Sequence, residues 1–284
     1  MATKDQILTL CGSMQSGGSS IISWCFLQRS DMDGVFDANG DIICTVPKNI
    51  DTPYIWYKVT ISGFRLYEHI KHAEDEGCCV RPLLVVRDVR AAWASLSNKH
   101  YGRNGTTAED PPLRLRMRRF LEDWQVFRQK GWPIIQYEKF VRFPEQTLRQ
   151  ACESLNILWD HAMISWPKPP EKMANLHHGN ETFRFTKGDG LLGTLRPELA
   201  DRIIHPIPSQ DLKWLESEFS DYNQINGYPP HRDIPHVSVD RLVPTFDVTR
   251  RLKWRLHQKP LKLLLYKMGL KKTGNLPGVI RNRR

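Results

Sequence analysis

The chain alternates between short continuous apolar runs and longer segments with helical spacing. Residues 6 to 11 (Gln-Ile-Leu-Thr-Leu-Cys) form a short apolar run closed by Gly12, and Ser19 to Gln28 stays apolar for more than two helical turns. This pattern predicts a strand, a Gly-rich turn and a buried helix. Asp31 to Asn49 is rich in Asp, Gly, Asn and Pro, which predicts a long irregular connection around a short strand at Ile42 and Ile43. Tyr54 to Thr60 alternates aromatic and β-branched residues as a strand does, and Phe64 to Glu76 repeats apolar positions at helical intervals before Gly77.

The second half of the pattern is similar. Pro82 to Val86 is a continuous apolar run, expected of a parallel strand covered on both faces, and Val89 to Asn98 follows as a helix. A long helix is expected from Pro112 to Lys130, with Pro at its start and Gly131 at its end. Pro133 to Gln136 reads as a strand, Pro144 to Leu155 as a helix, and Ser209 to Tyr222 as a late helix with Ser209 as its N-cap. Strands alternating with helices predict a three-layer α/β domain with a mostly parallel central sheet. The polar stretch Asp160 to Asp189 fits no element and has the composition of a site-shaping loop.

Composition narrows this picture. At 284 residues and 40% hydrophobic, the chain can bury a core without crosslinks. The six cysteines lack zinc-site spacing and read as reduced, mostly buried thiols, with Cys78 and Cys79 as small core residues at the mouth of a strand. No run approaches the roughly 18 apolar residues of a membrane helix, and no secretory leader pattern opens the chain, so a cytoplasmic protein is expected. The net charge of +10 is unevenly placed: from His231 to Arg284, fourteen Lys and Arg face only Asp233, Asp240 and Asp247, leaving residues 1–230 about neutral. The expected division is a domain over 1–230 and a basic helical extension over 231–284.

Two segments suggest anion chemistry. Gly12-Ser-Met-Gln15-Ser16-Gly17-Gly18-Ser19-Ser20 joins the first strand to a helix, where backbone amides and the helix dipole favour phosphate. Its spacing matches a nucleotide P-loop, except that Gly18 stands at the lysine position, which argues against an ordinary triphosphate phosphotransferase. Arg87 leaves the end of a parallel strand with Ser95 eight residues on in the next helix, beside the crevice where open α/β sheets bind ligands. An alternative for Arg87 is a surface ion pair with Asp88 or another carboxylate.

These segments resemble the sulfotransferase family, P-loop-related enzymes that use 3'-phosphoadenosine 5'-phosphosulfate (PAPS), over about residues 6 to 230. Gln15 to Ser20 is similar to the loop that holds the 5'-phosphosulfate. Arg87 to Ser95 is similar to the 3'-phosphate motif. Tyr137-Glu138-Lys139-Phe140-Val141 resembles the family's Tyr-Glu-Asp-Leu strand end, whose tyrosine lies near the adenine. Phe183-Arg184-Phe-Thr-Lys187-Gly188 is a looser match to the loop that closes over the nucleotide. The resemblance implies a P-loop-like fold, transfer of a sulfonate from PAPS to a hydroxyl or amine on a small molecule or glycan, release of adenosine 3',5'-bisphosphate (PAP), and no metal.

The chain departs from the family at Gln15, where a Lys or Arg is usual. Lys58 is the expected substitute cation, aligned with a lysine two residues before the catalytic histidine of cytosolic members, and Arg65 is a weaker one; Thr60 fills the histidine position. The missing histidine leaves the base open. Some relatives use a carboxylate after the P-loop helix, and among Asp31, Asp33 and Asp37 the last has the most similar separation, while His177 and His178 lie in the unassigned loop. The alternative function is a catalytically impaired relative that acts as a binding module through its tail. In that tail, Leu252 and Leu256, then Leu261, Leu264, Leu265 and Met268, form apolar stripes among basic residues, suited to an anionic surface, the domain itself or another subunit. No nucleic-acid-reading motif accompanies it, so no nucleic-acid partner is expected.

Overall fold

In the computed structural model, the described residues are 6–47, 50–96, 111–168, 190–200, 203, 206–230 and 236–237. Five parallel strands form the central sheet: β1 (Ile7–Ser13), β2 (Met32–Ala38), β3 (Tyr54–Thr60), β4 (Cys79–Val86) and β5 (Ile134–Gln136), in the order β2-β3-β1-β4-β5. The register places Cys11 beside Lys58 and Leu83, and Ser13 beside Thr60 and Val85. All four pairings are parallel, so the C-terminal ends of the strands share one edge.

Side-chain alternation along each strand divides the core into two layers. Leu8, Leu10, Tyr57, Val59, Leu84 and Val86 pack against α2 (Leu66–Asp75), α3 (Val89–Leu96), α4 (Pro111–Lys130), α9 (Ser209–Glu218) and α10 (Ser220–Ile225). Cys11, Trp56, Leu83 and Val85 pack on the other face with α1 (Ser19–Leu27), α5 (Tyr137–Arg142), α6 (Pro144–Ser154), α7 (Ala162–Ser165) and α8 (Gly190–Thr194). This is the three-layer α/β architecture expected from the alternating pattern. A second, two-residue parallel pair joins β6 (Ile207–Pro208) to β7 (His236–Val237).

Four local expectations are corrected. The stretch after Asp31 contains strand β2, with Met32, Val35, Phe36 and Ala38 buried, whereas Ile42 and Ile43 are not in a strand. Its Asp and Gly content suggested turns, but an edge strand needs only one neighbour, and the register shift between Val35 and Ala38 accommodates the polar insertions. The late helix divides at Phe219 into α9 and α10, and Pro208 rather than Ser209 holds the N-cap position. Cys79 is exposed at the first position of β4, while half-buried Cys78 packs against the core at the end of α2; the other four thiols are buried, and all six are free.

Asp123 on α4 locks α2 beneath the sheet edge. Its fully buried carboxylate accepts the Leu66 and Tyr67 N–H groups at 2.6 and 3.0 Å, satisfying two of the donors that a helix start leaves open. Burial pushes this carboxyl from its ordinary 3.8 up to about 7. A raised folded-state value means that the proton is held more tightly in the folded chain, so this contribution to stability is present at low pH and lost as pH rises through about 7. Asp123→Asn cannot ionise. Its stability relative to wild type is expected to rise as pH increases from about 4 to about 7, measured as the difference between the two urea midpoints.

Candidate functional site

The turn after β1 lies at the shared C-terminal edge of the sheet. Ser16 and Gly18 both take left-handed backbone conformations, with φ of 61° and 87°, and fold the chain back into α1. The Gly17 N–H closes the turn onto the Met14 carbonyl at 3.0 Å, and the Ser13 and Ser19 hydroxyls lie 2.6 Å apart, tying the strand end to the first helical residue. No side chain caps α1 among the described residues, and its first turn carries no acidic residue. Among the described residues of its first turn, no carboxylate offsets the positive end of the helix dipole.

Arg87 and Tyr137 meet this turn from the next two strands. The Arg87 guanidinium donates through Nη1 to the Ser16 carbonyl at 3.0 Å and stacks over the Tyr137 ring at 4.7 Å. Its Nε is buried and makes no hydrogen bond among the described residues. The Tyr137 ring lies directly against Gly18: a Cβ there would stand 2.1 Å from Tyr137 Cδ2. Asp88 holds Arg90 through Nε at 2.9 Å and Nη2 at 3.0 Å. Gln15 and Ser20 are half-buried within the same turn region, and Ser95 is half-buried toward the end of α3.

Lys58 and Asp37 form a second group, two strands away from Arg87. Alternation puts Lys58 on the α1 face of the sheet, where it is only 3% exposed. Its Nζ donates to Asp37 Oδ1 at 2.7 Å and to Thr60 Oγ1 at 3.3 Å, and Thr60 is the register neighbour of Ser13. Asp37 is 29% exposed, so the pair reaches from the buried strand face toward solvent. The other sequence candidates serve the scaffold. Asp31 binds Arg29 in a two-point ion pair, the Asp33 carboxylate accepts the Gly34 N–H, and Arg65 pairs with Glu122 and Glu68. Arg184, Lys187 and Gly188, together with His177 and His178, lie outside the described residues, as does nearly all of the basic tail.

The strand ends are also held by Tyr222 and Tyr228, which carry no recognisable local signal in the sequence, and by Glu138 of the Tyr137 segment. Tyr222 of α10 accepts the Arg87 N–H at 3.2 Å and donates to the Arg87 carbonyl at 2.7 Å. Glu138 accepts the Asp88 N–H at 3.0 Å and the Tyr228 hydroxyl at 2.9 Å. Burial raises the Glu138 carboxyl, against the lowering effect of those hydrogen bonds and of Arg87. A cavity of about 500 Å³ borders this network at Tyr228, is lined also by Arg90, Glu216 and Asn223 among others, and includes no residue of the first turn. Among the described residues, no three His, Cys, Asp or Glu side chains converge as metal ligands would, and no helix is long and apolar enough to cross a membrane.

No protein-family model matches the chain, and no curated protein matches it. Solved structures similar to it are sulfotransferases. The sulfotransferase domain of the curacin biosynthetic pathway is 14% identical, with a TM-score of 0.48 over 76% of this chain and 98% of that one. Mouse sulfotransferase SULT7A1 complexed with PAP is 12% identical, with a TM-score of 0.45 over 90% of each chain. A sulfotransferase from Alicyclobacillus acidocaldarius is 12% identical, with a TM-score of 0.42 over 80% of this chain and 96% of that one.

The contact of Gly18 with Tyr137 generates a stability test. Gly77 has a similar φ of 84° but nothing within 4 Å of a would-be Cβ, so Gly77→Ala is expected to cost only the left-handed strain, about 1 kcal/mol. Gly18→Ala adds overlap with the ring and is expected to cost at least about 1 kcal/mol more. Removing the ring in Gly18→Ala/Tyr137→Ala should abolish that extra penalty when compared with Tyr137→Ala alone in chemical denaturation.

Proposed function

We propose that this protein is a sulfotransferase that binds PAPS at the C-terminal edge of its sheet and passes the sulfonate to a hydroxyl or amine acceptor. The observation that carries the proposal is the 3.0 Å contact between the Arg87 guanidinium and the Ser16 carbonyl, which brings the two anion-binding motifs into one crevice. A donor with a 3'-phosphate as well as a 5'-phosphosulfate requires two such neighbouring sites, whereas a triphosphate requires one, and Gly18 supplies no P-loop cation. In this assignment Gln15, Ser16, Gly17, Gly18, Ser19 and Ser20 surround the phosphosulfate, Arg87 and Ser95 hold the 3'-phosphate, and Tyr137 abuts adenine. Arg184, Lys187 and Gly188 complete the nucleotide site.

Asp37 and Lys58 are assigned to the transfer itself. Asp37 takes the acceptor's proton as its oxygen or nitrogen attacks sulfur; the bond from sulfur to the 5'-phosphate oxygen breaks, and PAP leaves with the electron pair. Lys58 stabilises the charge that develops on the sulfonate and phosphate oxygens. The 2.7 Å pairing of these side chains links the two roles, because a proton on Asp37 cancels the negative charge that otherwise offsets Lys58. The acceptor is a small molecule or a glycan.

Calorimetry with PAP tests donor binding. Wild type is expected to bind, and Arg87→Ala to bind about tenfold to a hundredfold more weakly, the worth of one or two charge-assisted hydrogen bonds. Absence of PAP binding by a folded wild-type chain overturns the assignment. With radiolabelled PAPS and pooled phenol, alcohol, amine and glycan acceptors, Asp37→Asn and Lys58→Met are each expected to lower transfer at least about a hundredfold. PAP binding without transfer by wild type would instead identify an impaired, nucleotide-binding relative.

A further inference from the structure

We infer that Tyr222 and Glu138 are positioning residues for recognition of the donor's 3'-phosphate, acting through the main chain of Arg87 and Asp88; this rests on the donor assignment above. Sheet pairing ends at Val86, which registers with Gln136. Beyond it, Arg87 belongs to neither the strand nor α3, and other groups must satisfy its main-chain N–H and C=O. One phenol does both: Tyr222 accepts from Arg87 N–H at 3.2 Å and donates to Arg87 C=O at 2.7 Å. The next N–H, of Asp88, is taken by Glu138 Oε1 at 3.0 Å, while Glu138 Oε2 is held by the Tyr228 hydroxyl at 2.9 Å.

These contacts give Arg87 a fixed base and a movable head. Tyr222 is fully buried and wedged by the rings of Phe120, Trp124, Phe219 and Tyr228 at 5.1 to 5.9 Å, so it cannot follow a shift in the strand end. The guanidinium, by contrast, rests on one carbonyl and one ring face, with Nε lacking a hydrogen bond among the described residues. An incoming phosphate can compete for those N–H groups while the backbone beneath remains in place. Preorganising the base concentrates the guanidinium near the site and lowers the ordering cost of binding. Glu138 follows Tyr137 directly, so the same carboxylate ties the ring on one strand end to the arginine on the next.

The test compares two nucleotides that differ only at the 3' position, PAP and adenosine 5'-monophosphate, by calorimetry. Wild type is expected to prefer PAP. Tyr222→Phe keeps the ring packing but removes both hydrogen bonds, and should weaken PAP about tenfold while leaving the monophosphate within about twofold. Tyr228→Phe, which frees one oxygen of Glu138, should produce a smaller loss with the same selectivity, and it carries the comparison if Tyr222→Phe does not fold. Arg87→Ala/Tyr222→Phe should bind PAP no more weakly than Arg87→Ala, because both changes act through one side chain. Equal weakening of both nucleotides, no weakening of PAP, or additive losses in the double variant would overturn the positioning role. Equal affinity of wild type for the two nucleotides would overturn the donor assignment, and the inference with it.

Discussion

The hydrogen bond from Arg87 to the Ser16 carbonyl is the contact on which the site depends. It joins the end of β4 to the turn after β1, two adjacent strands whose parallel register leaves both C-terminal ends on one edge. The guanidinium also fills the space over Tyr137, whose ring in turn lies against Gly18. Four residues from three strand ends thus form one contiguous wall. A longer residue at position 18 would separate the ring from the turn and remove the surface on which the arginine rests.

Charge around this wall is distributed unevenly. The α1 N-terminus has no acidic residue in its first turn, and the carboxylates nearest Arg87 in sequence and space have other partners: Asp88 holds Arg90, and Glu138 holds Asp88 N–H and Tyr228. Lys58 differs, since its amine is matched by Asp37 inside the protein. A buried lysine without that partner would be costly, and the ion pair removes that cost.

Strands β1, β3 and β4 were legible because central parallel strands are covered on both faces, and their sequences carry short runs of apolar, aromatic or β-branched residues. β2 was not, because an edge strand tolerates Asp33, Gly34 and Asp37, which taken one at a time favour turns. The Gly-rich turn, Arg87 and Ser95 stood out through their spacing relative to the strands, whereas Tyr137 was named only through the resemblance of its segment to a sulfotransferase motif. Lys58 and Asp37 could be named, but not as partners: their contact arises from the pairing of β2 with β3 across 21 residues. Tyr222 had no local signal at all. It is an aromatic residue on a helical face, 135 residues from the arginine it supports, and its hydroxyl matters only because of where α10 packs.

The strand order has a consequence for how the protein is made. β1 is the centre of the sheet, flanked by β3 and β4, so it cannot pair on either side in this sheet until residues 54–60 and 79–86 have been synthesised. Its unpaired backbone edges and apolar faces wait through that interval, and each pairing closes a loop of dozens of residues, the kind of non-local contact that slows folding. The turn after β1 is therefore translated before both neighbouring strands, yet it acquires its shape only after they have arrived.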